Sequence, residues 1–301
     1  MSSQQDADSL DLARRACEAH GIDPSGARLI HHYSNAVVLV PAVKAVARIA
    51  TGRHDPDQIR RSLRITGWLR DRGFPTVTPF DDLDVVEVAP QVSVSFWDFL
   101  PQPETPEPFD AADLASLLAE LHSLQPPRHD LAQWEPLSSL DDVLAGYAGA
   151  VLSAVEHRWI SERLADIRDC LRGREWPLGM GLVHGDAWQG NLMSGPRGPG
   201  RPVLGDWDRV AWGPREIDLV PTWHAARRYG RDPSWTQRFV ALYGYDLATS
   251  PLFEDLMTMR DLAQLPGPLR RAPHSEPHAK ALRQRLGDLM AEDKTSPWVA
   301  L

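Results

Sequence analysis

The spacing of apolar positions changes several times along the chain. Over residues 7–20, Leu10, Leu12, Ala13, Ala16 and Cys17 recur at helical spacing and stop at Gly21, which predicts one amphipathic helix. Three short runs rich in branched residues follow, RLIHHY, NAVVLVP and KAVARIA, broken at Ser34-Asn35 and around Pro41, and these predict strands. Asp55-Pro56 marks a helix start, and Ile59, Leu63 and Thr66 mark one face of that helix as far as Gly73. DVVEVAP and QVSVSFW predict two more strands. Residues 25–97 are therefore expected to form a small antiparallel sheet with one inserted helix.

The pattern then shifts. PQPETPEP, residues 101–108, is proline-rich and polar, as expected of a linker or exposed loop. DAADLASLLAELHSL predicts a strongly amphipathic helix with Leu114, Leu117, Leu118 and Leu121 on one side. Two further helical stretches are expected within 138–173, and a short strand at GLV before residue 184. GPRGPG is a turn signal, PVLGDWD resumes a strand, and 215–301 return to helical patterns. The expected fold class is α+β with two lobes: residues 1–98 with an antiparallel sheet, and a larger, mainly helical 99–301, hinged near 98–102.

Composition narrows the function classes. A chain of 301 residues suits one large domain or two lobes, and 43% hydrophobic with 24% charged residues is ordinary for a soluble globular protein. A formal charge of -9 makes nucleic acid an unexpected partner. The N-terminal stretch lacks the basic and apolar regions of a secretion signal. The longest apolar run, Ala36 to Val43, contains Pro41 and is far too short to span a membrane. Cys17 and Cys170 show neither metal-ligand nor redox spacing and are expected to be reduced bystanders in a cytoplasmic protein.

The densest chemistry lies in LVHGDAWQGNL, residues 182–192. Phosphoryl transfer needs little covalent help: a carboxylate near the acceptor hydroxyl, and oxygen ligands that hold magnesium on the nucleotide phosphates. In kinases the carboxylate and one metal ligand share a loop of pattern H-x-D-x-x-x-x-N, and a second ligand is an aspartate after the next strand. His184, Asp186 and Asn191 fit the first pattern, and Asp206 in PVLGDWD fits the second. A buried histidine beside a helix-capping aspartate would explain the first motif alone; the aspartate strand following in the right order makes that explanation poor. His184 and His122 are expected to anchor the loop rather than move protons.

HGDAWQGNL followed by LGDWDRVAWGPREIDL resembles the aminoglycoside phosphotransferase and choline kinase family, which has a protein-kinase-like fold. LASLLAELHSL, YSNAVVLV…AVARIA and FWDFLP are similar to that family's helix before the catalytic loop, its nucleotide-lobe strands and its lobe junction. The resemblance implies Asp186 as catalytic base and Asn191 and Asp206 as ligands of Mg²⁺. It implies Arg48 as a contact to the phosphates of ATP or GTP, main-chain groups around Asp98 and Leu100 at the base edge, and Asp218 as a structural anchor. It also implies an active site between a nucleotide-binding lobe and a catalytic lobe. The acceptor is expected to be a small, cationic, hydroxyl-bearing molecule such as an aminoglycoside, another antibiotic or an amino alcohol, with Glu254, Asp255 and Asp261 as candidate carboxylates.

The chain departs from the family pattern in two places. The glutamate that pairs with the strand cation should fall near Ser62, in IRRSLR, where there is no acid, and HHYSNA lacks the glycine often found in the phosphate loop. Either another acid holds Arg48 or the nucleotide is held less firmly. Asp208 is expected to cap the next turn, with a further polar residue of the site as the alternative; Trp223 and His224 are expected to be core aromatics, and RRYGRD (227–232) a solvated helix end. A non-catalytic nucleotide-binding pseudokinase and a metal-dependent phosphohydrolase stay open as alternatives.

Overall fold

The computed structural model describes residues 3–32, 35–52, 54–105, 108–127, 130–196 and 202–301. The chain divides into two compact units: unit 1 is Met1–Phe109, Pro127–Leu131 and Gly190–Val210, and unit 2 is Asp110–Pro126, Ala132–Gln189 and Ala211–Leu301. The division expected after residue 98 is thus drawn after Phe109, and unit 1 also takes in the segment that carries Asn191 and the Asp206 turn.

Unit 1 is built on a five-stranded antiparallel sheet in the order β1-β2-β3-β5-β4, with β1 Arg28–His32, β2 Ala36–Val40, β3 Ala45–Thr51, β4 Val86–Ala89 and β5 Val92–Asp98. Alternation along each strand sorts the two faces. Val38 and Val40, Ala47 and Ile49, and Val94 and Phe96 point to one face, where they pack with Ala13, Ala16 and Cys17 of helix α1 (Ser3–Ala19). Cys17 is therefore part of the apolar core, and burial pushes its thiol up to about 11. Val46 and Trp97 point to the opposite face and pack with Ile59 and Leu63 of helix α2 (Pro56–Arg70). The α2 start follows its sequence signal: the Asp55 side chain accepts from Asp57 N–H at 3.0 Å, and Pro56 occupies the first turn.

Part of the expected linker is pinned. The Gln102 side chain donates to the Ser194 carbonyl at 3.2 Å and accepts from the Ser194 N–H at 2.9 Å, so one amide pairs with both backbone groups of β7 (Leu192–Ser194). β7 pairs with β8 (Pro202–Leu204) as a short hairpin. Tyr33, Ser34 and residues 197–201, which include parts of the expected phosphate loop and of the GPRGPG turn, lie outside the described residues.

Unit 2 is mainly helical: α3 Ala111–Ser123, α4 Ser138–Val151, α5 Ala154–Leu171, α6 Val220–Arg228, α7 Ser234–Tyr243, α8 Phe253–Leu262, α9 Pro266–Arg271 and α10 Glu276–Met290, with the two-stranded pair β6 (Met180–Val183) and β9 (Ala211–Pro214). Among the described residues no helix is long and apolar enough to cross a membrane. The RRYGRD run is not a solvated helix end throughout. Arg228 is only 1% exposed and donates from Nε and Nη2 to both carboxylate oxygens of Asp261, at 2.9 and 2.6 Å. Its guanidinium also donates to the Asp293 and Ser296 carbonyls and lies 4.3 Å from the Trp298 ring centre, so the C-terminal segment folds over it. His224 Nε2 donates to the same Asp261 at 3.0 Å.

This cluster makes stability depend on pH. Burial, opposed by the hydrogen bond to Asp261, lowers the His224 pKa from 6.5 to about 4. The unfolded chain then binds a proton at this histidine below about pH 6.5 that the folded chain refuses until about pH 4. Stability is expected to be flat above that window from this source and to fall as pH drops through it, by an upper bound of ~3 kcal/mol. Urea melts across this range check it. His224→Asn should lower stability overall yet flatten the slope, and an unchanged slope would assign the acid sensitivity elsewhere.

Candidate active site

The cation of unit 1 sits where strand alternation puts it. Arg48 lies two residues after Val46 on β3, on the α2 face of the sheet, opposite Ser95 of β5. The chain reaches it again through the β7–β8 hairpin. Gly205 N–H donates to the Asn191 carbonyl at 2.9 Å, and Asp206 then takes a left-handed conformation, with φ 60° and ψ 60°. PVLGDWD is therefore a strand only over Pro202–Leu204, and DWD forms a tight turn. Trp207 anchors that turn: it is 1% exposed, its indole N–H donates to the Leu204 carbonyl at 3.0 Å, and its ring meets Phe74 edge-on.

The turn delivers two carboxylates to Arg48. Arg48 Nη2 donates to Asp206 at 3.1 Å, while Nη1 and Nη2 donate to the two oxygens of Asp208 at 2.5 and 2.6 Å. With the Asn35 amide oriented so that its oxygen faces the guanidinium, that oxygen accepts from Nη2 at 2.7 Å and Nε at 3.3 Å. Burial alone would disfavour the charge, but Asp208 and then Asp206 outweigh it and raise the Arg48 pKa. Asp208 is thus an ion-pair partner of Arg48, not merely the cap of the next turn. At Ser62, where the family glutamate was sought, a buried hydroxyl bonds instead to the carbonyls of Gln58 at 3.1 Å and Trp207 at 2.9 Å.

At the end of β5 the Asp98 N–H donates to the Thr78 carbonyl at 2.9 Å, and the Asp98 carboxylate accepts from the Thr78 hydroxyl. The Leu100 carbonyl accepts from Gln102 at 3.2 Å. The Asp98 N–H is therefore used within the protein.

Unit 2 holds the other half of the motif. β6 runs beside β9 with Gly181 opposite Gly213, and both must be small. A Cβ on Gly213 would lie 2.6 Å from that of Trp134, and one on Gly181 would lie 2.7 Å from Arg215 Nε. The loop leaving β6 is fixed from below by Asp218, which is fully buried. Its two carboxylate oxygens accept the N–H groups of His184 and Gly185, each at 2.7 Å, and Gly185 supplies the positive φ (84°) that lets the chain turn there. One of these oxygens also accepts His122 Nε2 at 3.1 Å, and His122 Nδ1 lies 2.7 Å from the Tyr243 hydroxyl. Burial, and then the Asp218 charge, push the Tyr243 pKa up. Tyr243 therefore donates to His122, which donates to Asp218. His184 is likewise structural: its Nδ1 accepts from the Asp186 N–H at 3.4 Å.

Two further side chains of this loop region are not visible in the sequence pattern. Arg260 of α8 donates from Nη1 to the Asp186 carboxylate at 2.8 Å. Trp188, two residues past Asp186, is 47% exposed. The carboxylates expected to meet a cationic acceptor are largely committed. Asp261 is buried on Arg228 and His224, and Glu254 accepts from Arg227 at 2.6 Å and Lys294 at 3.0 Å.

Among the described residues there is no group of three or more His, Cys, Asp or Glu able to hold a metal. Asn191 and Asp206 offer one amide and one carboxylate, a hard-oxygen set that suits Mg²⁺ when phosphates and water complete the shell.

The sequence model of the phosphotransferase enzyme family matches residues 26–253, and the chain belongs to that family. None of the curated proteins compared is similar enough in sequence to count as a relative. An amicoumacin kinase, hAmiN, in complex with AMP-PNP, Ca²⁺ and Ami superposes with a TM-score of 0.74 at 14% identity, over 99% of this chain and 98% of that one. A microcompartment-associated aminopropanol kinase gives 0.66 at 19% identity, over 94% and 98%. An APH(2")-IIia in a GDP and kanamycin complex gives 0.59 at 16% identity, over 94% and 99%. The fold is α+β and protein-kinase-like, and family membership makes the protein a phosphotransferase.

Asp218 should be the costliest single acid of the loop to remove. Asp218→Ala leaves two backbone N–H groups and His122 without their acceptor, at about 1–3 kcal/mol for each unsatisfied group. Denaturant melts should show several kcal/mol lost, and hydrogen exchange should speed up at the His184 and Gly185 amides first. Unchanged exchange there would deny Asp218 its anchoring role.

Proposed function

We propose that the protein transfers the γ-phosphate of ATP or GTP to a hydroxyl of a small organic acceptor, with Asp186 as the base. In this reading Asp186 accepts the acceptor's hydroxyl proton as the oxygen attacks the γ-phosphorus and the nucleoside diphosphate leaves. Asn191 and Asp206 would hold Mg²⁺, which supplies charge neutralisation on the phosphates. Arg48 would donate to phosphate oxygens, for which its planar fork of donors is suited. Backbone near Asp98 and Leu100 would meet the base edge, with the Leu100 side of the junction carrying more of that contact because the Asp98 N–H is already bonded. A cytoplasmic setting agrees with nucleotide use and two free thiols.

The observation that supports this reading best is the meeting of Arg48 with Asp206, a strand cation and a turn carboxylate named separately by their motifs. It also weighs against a pseudokinase, since the base, the metal ligands and the phosphate cation are all retained. A two-metal phosphohydrolase would need several bridging carboxylates and histidines, and among the described residues none are grouped in that way.

For the acceptor, an amine-bearing molecule is supported by the kanamycin complex and the aminopropanol kinase among the structural neighbours. Arg260, paired with Asp186, places a further charge beside the reacting hydroxyl in this reading. Trp188, exposed two residues past Asp186, would be an aromatic surface available to an acceptor.

Phosphate transfer to a panel of aminoglycosides, other antibiotics, amino alcohols and sugars, with and without Mg²⁺, tests the reading. Asp186→Asn should cut kcat by ~10²–10⁴-fold while nucleotide affinity holds. Asp206→Ala should abolish turnover and weaken binding of the magnesium nucleotide in calorimetry. Equal binding by wild type and Asp206→Ala would remove the metal assignment. Turnover of neutral sugars alone would remove the amine while leaving the kinase.

A further inference from the structure

The family pattern leaves Arg48 without the acid that would hold it from the inserted helix, and the structure supplies a different one. We infer that Asp208, the second acid of the DWD turn, is the positioning residue for Arg48 and replaces the helix-borne glutamate. The inference rests on the reading of Arg48 as the phosphate contact.

The geometry separates two tasks that a helix glutamate would combine. α2 still holds the turn through neutral hydrogen bonds to its backbone: Ser62 donates to the Trp207 carbonyl and Gln58 to the Asp208 carbonyl. The charge is held by Asp208 itself, through the two-pronged pairing of its carboxylate with Nη1 and Nη2. Such paired geometry fixes the plane of a guanidinium as well as its position. Ser62 is 1% exposed, so a carboxylate there would be buried in place of a hydroxyl that shares its one proton between the Trp207 and Gln58 carbonyls.

Asp206 and Asp208 also differ in what they can give up. Asp206 makes one 3.1 Å contact to Arg48 and is 49% exposed at its side chain. It can turn to a magnesium nucleotide while Asp208 keeps both of its shorter bonds. Arg48 then presents the Nη2 edge released by Asp206 to phosphate oxygens without losing its own orientation. Asn35, one strand away, accepts from the Nε edge and closes the remaining side.

A double-mutant cycle on the full chain tests this, read as nucleotide KM, acceptor KM and metal-free nucleotide binding in EDTA. Arg48→Ala should raise the nucleotide KM by about ten- to a hundredfold, the value of hydrogen bonds to a charged group, with acceptor KM nearly unchanged. Asp208→Ala and the near-isosteric Asp208→Asn should reproduce that split and weaken metal-free binding. Asp208→Ala in the Arg48→Ala background should add nothing. Asp208→Glu should restore part of the affinity. Thermal melts establish that each variant is folded, and Asp208→Asn carries the test if the alanine variant is not. A normal nucleotide KM in Asp208→Asn, with Arg48→Ala impaired, overturns this inference alone. Multiplying effects in the double variant, with a raised Mg²⁺ requirement, would make Asp208 a metal ligand and overturn it too. No effect of Arg48→Ala would instead remove the reading of Arg48 beneath it.

Discussion

A carboxylate with no exposure at all decides where the loop of unit 2 can go. Asp218 sits under the end of β6 and takes the N–H groups of His184 and Gly185 on its two oxygens. Burying a charge is expensive unless every lone pair has a partner, so the donors around it cannot be traded for water. His122 and Tyr243 complete the set and tie the loop to α3 and α7. The direction in which Asp186 leaves the loop follows from this, because its own N–H is turned onto the His184 ring.

Unit 1 solves the opposite problem with a half-exposed cluster. Arg48 is surrounded by Asn35, Asp206 and Asp208, whose carboxylates are 49% and 40% exposed. Exposed ion pairs are individually weak, so the single Asp206 contact contributes less to holding Arg48 than the two-pronged pairing with Asp208. Unit 2 keeps the pair of Arg228 with Asp261 inside, where it joins α6, α8 and the C-terminal segment.

Much of the frame was legible in the sequence because periodicity reports burial. Alternation along KAVARIA separates Ala47 and Ile49 from Val46, and the structure packs them on opposite faces. The family resemblance names Arg48 and the motif after the hairpin names Asp206, and the fold brings them together. What local pattern does not carry is the choice of ion-pair partner. Asp208 lies 160 residues from Arg48, and Arg260 lies 74 from Asp186. RRYGRD looks solvated because a charged run gives no sign that one of its arginines faces inward onto Asp261. Gln102 in a proline-rich stretch gives no sign that its amide will pair with a strand edge.

The backbone at Asp206 has a consequence for how this chain can change over generations. A residue with φ near 60° is comfortable as glycine, asparagine or aspartate and strained as almost anything else. Selection acting on shape alone therefore permits very few replacements at that position. One of them, asparagine, is a single base transition from aspartate in the genetic code and keeps the turn while deleting the charge. The architecture of the turn is thus insensitive to the one substitution that would remove the Asp206 charge from beside Arg48.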